Sequence, residues 1–380
     1  MPSQRPLNNR LHVVVNGQRL SGEPTGVGRY IEMVLIELQE LIDPDQIDLV
    51  LPQPLDPVRS AQLRVRSQVV ASGLPALIWE NVALPRRTRG VTVLFAPSYT
   101  LPLAFRGKSV LSNLGIYESM PQTFPWWHRI RHGPLYRYSA RQASVVIANS
   151  ESTKHDIASS YGVAPEKIRV VVPGVAECFH PRQPSDHLRS LKTELGFGDA
   201  PYLLFVGKLS HRRHVPELLQ ALDLLKQQHN IPHKLLIVGP NTLGWDIDGA
   251  IAARRSRTDI RYVAHLDWNA LAAIYAGADL FVLPTEHEGL SFTILEAMAS
   301  GAPVVTLDHA ALEDGMRDAV GLAQSPEPEQ LAAAVLQSLK PQRRQALSQR
   351  GLEVSRRFSW RENAKATLNI IQEVAVREDA

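Results

Sequence analysis

Two glutamates, Glu288 and Glu296, stand eight positions apart within residues 285–305, and carboxylates so spaced can serve one elongated ligand. An apolar run, Leu280–Leu283, precedes them and is closed by Pro284. Glu288-Gly289-Leu290-Ser291 then reads as a turn into a helix that stops before a C-capping glycine, Gly301. That turn places Glu288 at a loop tip and Glu296 about one turn into the helix. The unpaired N–H groups at the helix start, reinforced by its dipole, suit a phosphate, and Gly289 lets the backbone approach it. A nucleotide sugar fits this layout, with Glu288 on sugar hydroxyls, Glu296 on ribose hydroxyls and amides between them for the pyrophosphate. The spacing also fits a plainer arrangement, an exposed helix residue at 296 and an N-cap acid at 288.

A basic constellation, Gly207-Lys208-Leu209-Ser210-His211-Arg212-Arg213-His214, follows another apolar run, Tyr202–Val206. A strand, a turn and paired cations at a helix head make a pyrophosphate clamp; the plainer alternative is a solvated basic turn. Asp246-Ile247-Asp248 has the form of an Asp-x-Asp metal motif but lies in a polar loop, and no metal role is expected of it. His265 and His287 lack further ligand-type neighbours at zinc spacing. The stretch 124–132 sets Trp126 and Trp127 beside Arg129 and Arg131, which suits either a helix core or the headgroup layer of a membrane.

The elements that must position these groups are short β-branched runs alternating with helical stretches, the pattern of α/β domains with parallel sheets. Residues 11–15, 91–95, 109–111, 145–148 and 170–172 read as strands of a first sheet, with a helix over 30–41. Residues 202–206, 234–238, 260–263, 280–283 and 303–306 read as strands of a second. The polar, proline-containing stretch 180–200 is the best linker candidate, and 361–376 is long enough for a last helix. At 380 residues the chain holds two full domains. Its 44% hydrophobic and 21% charged residues exclude disorder and collagen-like repeats. A net charge of 41 − 38 = +3 is no polyanion-binding signature, so nucleic acid is not an expected partner. One cysteine, Cys178, forms no internal disulfide framework. No apolar run approaches the ~20 residues that span a bilayer, and the polar N-terminus lacks the apolar core of a signal peptide; a cytoplasmic protein is expected.

Residues 285–305, with two glutamates separated by seven residues and the tail Leu295-Glu296-Ala297-Met298-Ala299-Ser300-Gly301-Ala302-Pro303-Val304-Val305, resemble the signature of the retaining glycosyltransferases of family 4, often called group 1. Other stretches are similar to the same family, in order. Thr25-Gly26-Val27-Gly28-Arg29-Tyr30 resembles its glycine-rich loop, Ala148-Asn149-Ser150-Glu151-Ser152-Thr153 a strand and turn late in the first domain, and Val171-Val172-Pro173-Gly174-Val175 that domain's end. Arg261-Tyr262-Val263-Ala264-His265-Leu266 resembles its base-binding strand. The likeness runs from about residue 11 to 360.

The resemblance implies a GT-B type α/β fold, two Rossmann-like doubly wound domains facing across a cleft. Residues 1–178 would be the acceptor side and 179–358 the nucleotide-sugar-binding domain, with a helix over 359–380 crossing back to the first. It implies a donor site of Gly26, Gly28, Lys208, Arg212, Arg213, Val263, His265, Glu288, Gly289, Leu290, Ser291 and Glu296, with Glu288, Arg213 and Asn113 nearest the chemistry. Arg213 stands where the family has a phosphate-binding lysine, and His214 replaces its asparagine. Ser112-Asn113 replaces the His-Asp pair that many members carry, and neither residue ionises near neutral pH. The expected activity is retaining transfer of a sugar from a nucleotide-diphosphate sugar to a glycan, glycolipid or small-molecule acceptor in cell-surface polysaccharide or glycoconjugate biosynthesis. No metal or other cofactor is expected, and attachment to the inner face of the membrane would be weak. Two other readings compete. A dinucleotide-dependent oxidoreductase would need a third glycine after Gly26-Val27-Gly28, and none is there. A catalytically silent nucleotide-sugar-binding relative, acting as scaffold or regulator, is kept open by Ser112-Asn113.

Overall fold

β-branched and leucine-rich runs of four or five residues, each buried along its whole length, build the centre of both sheets, as parallel strands covered on both faces require. The computed structural model describes residues 11–21, 26–70, 73–88, 90–116, 126–312 and 315–377. The chain divides into two units, Met1–Gly174 with Ser359–Ala380, and Val175–Phe358.

Among its described residues the first unit holds seven parallel strands: β1 (Val13–Asn16), β2 (Ile47–Leu51), β3 (Arg66–Val69), β4 (Val93–Ala96), β5 (Ser109–Asn113), β6 (Val145–Ala148) and β7 (Ile168–Val170). Their order is β3-β2-β1-β4-β5-β6-β7, so the winding reverses between β1 and β4. The second holds six: β8 (Tyr202–Val206), β9 (Lys234–Val238), β10 (Ile260–Val263), β11 (Leu280–Leu283), β12 (Val304–Leu307) and β13 (Val320–Ala323). Their order is β10-β9-β8-β11-β12-β13, with the reversal between β8 and β11. Open α/β sheets bind ligands outside the carboxyl ends of their strands at such a reversal.

β2, β3 and β13 are additions to the strands read from the sequence. β3 is an edge strand of mostly exposed polar residues and carries no apolar signal. Asp48 interrupts the apolar run of β2 and is buried with His12 and Arg66 as partners, at 2.7 and 2.9 Å. The stretch read as a linker contains a helix, Ser185–Glu194, which lies in the second unit against the helix Trp268–Ala276. Pro184 is its N-cap, where a missing N–H costs nothing. The first helix is Gly26–Leu38 and starts four residues before position 30.

The division falls between Gly174 and Val175, not after 178. A Cβ on Gly174 would lie 2.1 Å from the backbone N of Trp360, so only glycine allows the close approach there. The last helix, Trp360–Val376, belongs to the first unit and buries Trp360, Ile371 and Val374. It packs on the helix Gly26–Leu38, with the Tyr30 and Trp360 rings 5.9 Å apart. Among the described residues no helix is long and apolar enough to cross a membrane. Thr25, Tyr117, Glu118, Phe124 and Pro125 lie outside the described residues, as do the side chains of Trp126, Trp127, His128, Arg129 and Arg131.

Candidate functional site

The basic turn and the glutamate turn meet where the second sheet reverses. β8 leads into Gly207-Lys208 and a 3-10 turn, His211–Arg213, while β11 leads into the loop carrying Thr285 and Glu288. Gly207 takes φ +154, and a Cβ there would come within 2.2 Å of Arg213 Nη1. Glycine is therefore what lets the Arg213 guanidinium lie over the strand end. His214 adopts a left-handed φ of +46, a conformation that asparagine and histidine tolerate better than most residues.

Glu288 is buried, and its bonds converge on one oxygen. Oε1 accepts from Arg212 Nη1 at 2.7 Å, from Arg213 Nη2 at 2.9 Å and Nε at 3.2 Å, and from Thr285 Oγ1 at 3.3 Å. Oε2 takes no hydrogen bond among the described residues. Burial pushes this carboxyl up, but the charges and hydrogen bonds of Arg212 and Arg213 outweigh it and hold it at about 2. The same cluster acts on Lys208: its amine is pushed down by burial and then by the charges of Arg213 and Arg212. Arg213 Nη1 also donates to the Lys208 carbonyl at 3.3 Å.

Glu296 is the fifth residue of the helix Phe292–Ala299, which Ser291 caps by accepting from the Ile294 N–H. It is buried on the helix's inner side, where Tyr275 Oη donates to its Oε2 at 3.2 Å. The plainer arrangement is thereby corrected on both counts: position 296 is not exposed, and the N-cap is Ser291 rather than Glu288. Leu290 is buried under the turn, and Gly301 takes the left-handed φ of +79 that ends the helix.

One residue of this corner was missed in the sequence. His309 follows β12, the strand beside β11, and is buried with no hydrogen-bond partner for either ring nitrogen among the described residues. Burial pushes its imidazole down, with His287 and Arg212 acting in the same direction against Glu288 and Asp308, to about 4. It is a neutral imidazole at neutral pH, beside Glu288.

Comparison with known proteins decides the family. Residues 24–177 match the family Glycosyltransferase Family 4, and residues 200–340 match Glycosyl transferases group 1. The chain is a family 4, group 1 glycosyltransferase. Among its relatives is the O-antigen chain mannosyltransferase B of Escherichia coli, 29% identical over 73% of this chain and 73% of that protein. Another is the D-inositol 3-phosphate glycosyltransferase of Corynebacterium kroppenstedtii, 30% identical over 62% of this chain; the match spans 54% of that relative's length. Among solved structures, HepE from Anabaena in complex with UDP-glucose superposes with a TM-score of 0.75 at 18% identity, covering 95% of this chain and all of that one. WaaG, a glycosyltransferase involved in lipopolysaccharide biosynthesis, superposes with a TM-score of 0.74 at 15% identity over 94% of this chain and 99% of its own. The fold is the α/β GT-B fold of these enzymes.

The other residues singled out by the family resemblance are more dispersed. Gly26 and Gly28 form the first turn of a helix, not a loop, and a Cβ on Gly26 would meet nothing within 4 Å. β10, with Val263 at its end, is the edge strand of the second sheet; the Val263 carbonyl accepts from Gly239 N–H at 3.0 Å, and His265 is exposed just beyond. Asn113 ends β5 in the first unit, fully buried; its Oδ1 accepts from Gly115 N–H at 3.0 Å, and its Nδ2 has no partner among the described residues. Ser112 Oγ lies 3.2 Å from Tyr30 Oη. Asp246 caps the short helix Ile247–Ala252, accepting from Gly249 N–H at 2.9 Å, which gives the Asp-x-Asp stretch a structural role.

Proposed function

We propose that this chain transfers a sugar, with retention of anomeric configuration, from a nucleoside-diphosphate sugar to a glycan, glycolipid or small-molecule acceptor in cell-surface polysaccharide or glycoconjugate synthesis. The observation that carries the reading is Glu288, whose Oε1 is fully engaged by two arginines and Thr285 while Oε2 is left to accept from a sugar hydroxyl. Arg212, Arg213 and Lys208 give the same corner more positive than negative charge, as a diphosphate requires. Glu296 then takes the ribose hydroxyls, the amides of Gly289, Leu290 and Ser291 face the phosphates, and backbone groups near Val263 and His265 hold the base. His309 adds a neutral donor and acceptor on the Glu288 side of the donor.

In the reaction the bond from the anomeric carbon to the β-phosphate oxygen breaks, and the acceptor oxygen bonds to that carbon on the same face. The acceptor's proton passes to the departing phosphate. No ionisable residue at 112 or 113 is needed for that route. The cations of the turn neutralise the leaving diphosphate without a divalent ion. The Trp126–Gln142 helix, which exposes Ile130, supplies weak attachment to anionic lipid at the inner membrane face, readable as vesicle co-sedimentation that salt abolishes.

The test is a thermal-shift panel of nucleoside diphosphates and their sugars, followed by slow donor hydrolysis and NMR of the released anomer. A specific diphosphate raises the melting temperature by mass action. Stabilisation by a nucleotide sugar with no hydrolysis or transfer would instead favour the silent relative, and an inverted product would overturn retention.

A further inference from the structure

The outer edge of the second sheet carries a basic cavity that the donor corner does not use. β13 is the edge strand, and the 3-10 turn Arg317–Ala319 leads into it. The helices Pro328–Ser338 and Pro341–Ser355 pack beside that strand and on each other, and the second also packs on the turn. Between these elements lies a cavity of about 390 Å³, whose lining includes Arg317, Arg343, Arg350, Asp318, Leu322 and Gln337. Its floor is closed by close packing: a Cβ on Gly321 would come 2.4 Å from Ser338 Oγ. The strand residues at the cavity are the first three of β13, so it lies towards the amino end of that strand. The basic and glutamate turns follow the carboxyl ends of β8 and β11 instead.

The cavity holds positive charge that the protein does not match. Arg343 and Arg350 stand seven positions apart, about two turns along one face of their helix. Among the described residues Arg343 makes no hydrogen bond or ion pair, whereas its neighbour Arg344 is paired with Asp279. Arg350 donates from Nη1 to the Asp318 carbonyl at 3.1 Å, a bond that fixes the side chain against the turn without neutralising it. Arg317 is paired with Asp308, both of them about half exposed, and a pair so placed is weak enough to exchange for another anion. Three guanidiniums thus face one carboxylate of the lining, Asp318.

We propose that this cavity binds a small phosphorylated molecule, its phosphate held by Arg343 and Arg350 with Arg317, and its uncharged remainder against Leu322 and Gln337. Guanidinium forks match phosphate oxygens two at a time, which a single ammonium cannot do. Small-molecule pockets run to roughly 300–1,000 Å³, and this one stands near the lower end, so it fits a ligand of monosaccharide size rather than a long anionic chain. Leu322 is 38% exposed on the edge strand and offers an apolar contact, while Gln337 offers a neutral donor and acceptor. An uncharged sugar lacks what the arginines select. The site shares no residue with the donor corner and does not depend on the transferase reading.

Calorimetry on the full chain with glucose 6-phosphate, inorganic phosphate and glucose tests the site, and calorimetry with UDP and GDP reads the donor corner beside it. The wild type is expected to bind glucose 6-phosphate at millimolar concentration or below, and glucose not at all. Arg343 has no partner to lose, so Arg343→Ser should keep the wild-type melting temperature and weaken glucose 6-phosphate about tenfold. Adding Arg350→Ser should abolish the binding, and both variants should keep the wild-type affinity for nucleoside diphosphate. Arg213→Ala, in the donor corner, should leave glucose 6-phosphate binding unchanged. Tighter binding of the ester than of inorganic phosphate supports the contact with Leu322 and Gln337, and equal binding overturns that contact. Absence of binding by the wild type, or equal binding by the double variant, would overturn the proposal. So would binding that Arg213→Ala removes and Arg343→Ser keeps, because the phosphate would then sit in the donor corner.

Discussion

Glu288, on the loop after β11, and Glu80, on the helix Ala76–Val82 and bonded to Asn16 and Thr100, each lie near the reversal of a parallel sheet and are 3% and 2% exposed. One carboxyl is held at about 2 and the other pushed up to about 7. Burial is the same, so burial does not set the difference; the partners do. Glu288 receives two guanidiniums, whereas Glu80 receives an amide and a hydroxyl, with Arg19 acting only through its charge. A carboxylate balanced by fixed cations suits a site that must meet a diphosphate and still keep its own charge. A carboxyl among neutral donors is held by hydrogen bonds rather than by counter-charge, so burial keeps it near neutrality.

The largest effect expected from breaking this contrast is at Glu288. Glu288→Gln leaves two buried guanidiniums without a counter-ion and should cost roughly 3–5 kcal/mol, read by chemical denaturation. The same change frees Arg212 and Arg213 from their carboxylate, so bare nucleoside diphosphate should bind more tightly while turnover falls. Unchanged stability together with weakened diphosphate binding would mean that the arginines do not answer to Glu288.

The two carboxyls should also give opposite slopes of stability with pH. Between about 4.5 and about 7 the folded chain keeps a proton on Glu80 that the unfolded chain has lost. Stability therefore falls as pH rises through that window, by about 3 kcal/mol in all. Glu288 works the other way: its contribution is present above 4.5 and is lost as pH falls towards about 2. Glu80→Gln should remove the fall on the neutral side and leave the acid side alone. A variant that still lost stability between pH 5 and 7 would show that another group titrates there.

The two regions differ in how legible they are in the sequence, for physical reasons. The second unit's site lies on two contiguous stretches, residues 207–214 and 285–305, each following a run of apolar residues, so both strand and turn are legible. The partnership of Arg212 and Arg213 with Glu288 is not, because it depends on β8 lying next to β11, which only the sheet order shows. His309 was open to view at the end of a readable strand, but a lone histidine after a strand carries no motif. The Glu80 cluster draws on a helix, a strand end and a loop up to 84 residues apart, from Asn16 to Thr100, and no local spacing announces it. β3 was missed because an exposed polar edge strand lacks the apolar pattern that marks its neighbours.

A smaller effect sharpens the donor side. Glu296→Ala removes the buried carboxylate proposed to hold ribose hydroxyls, and should weaken nucleoside diphosphate about tenfold. Tyr275→Phe, which removes one donor to Glu296 Oε2, should weaken it by ~1 kcal/mol or less. Calorimetry on both variants orders the two. If Tyr275→Phe were the more damaging, the tyrosine and not the glutamate would be the group that meets the ribose.

The smallest expected effect tests whether fixed cations alone balance the diphosphate. Asp246 accepts from Gly249 N–H, so Asp246→Ala loses a helix cap and should cost about 1 kcal/mol of stability. Asp246→Asn keeps a capping oxygen and should cost almost nothing. As a metal ligand, by contrast, the carboxylate would be lost in either variant, and turnover would drop in both. With Arg212, Arg213 and Lys208 supplying the charge, both variants should turn over as the wild type does, and EDTA should leave all three unchanged. Loss of turnover in Asp246→Asn, restored by added manganese, would place a divalent ion at the site and reduce the arginines to holding Glu288.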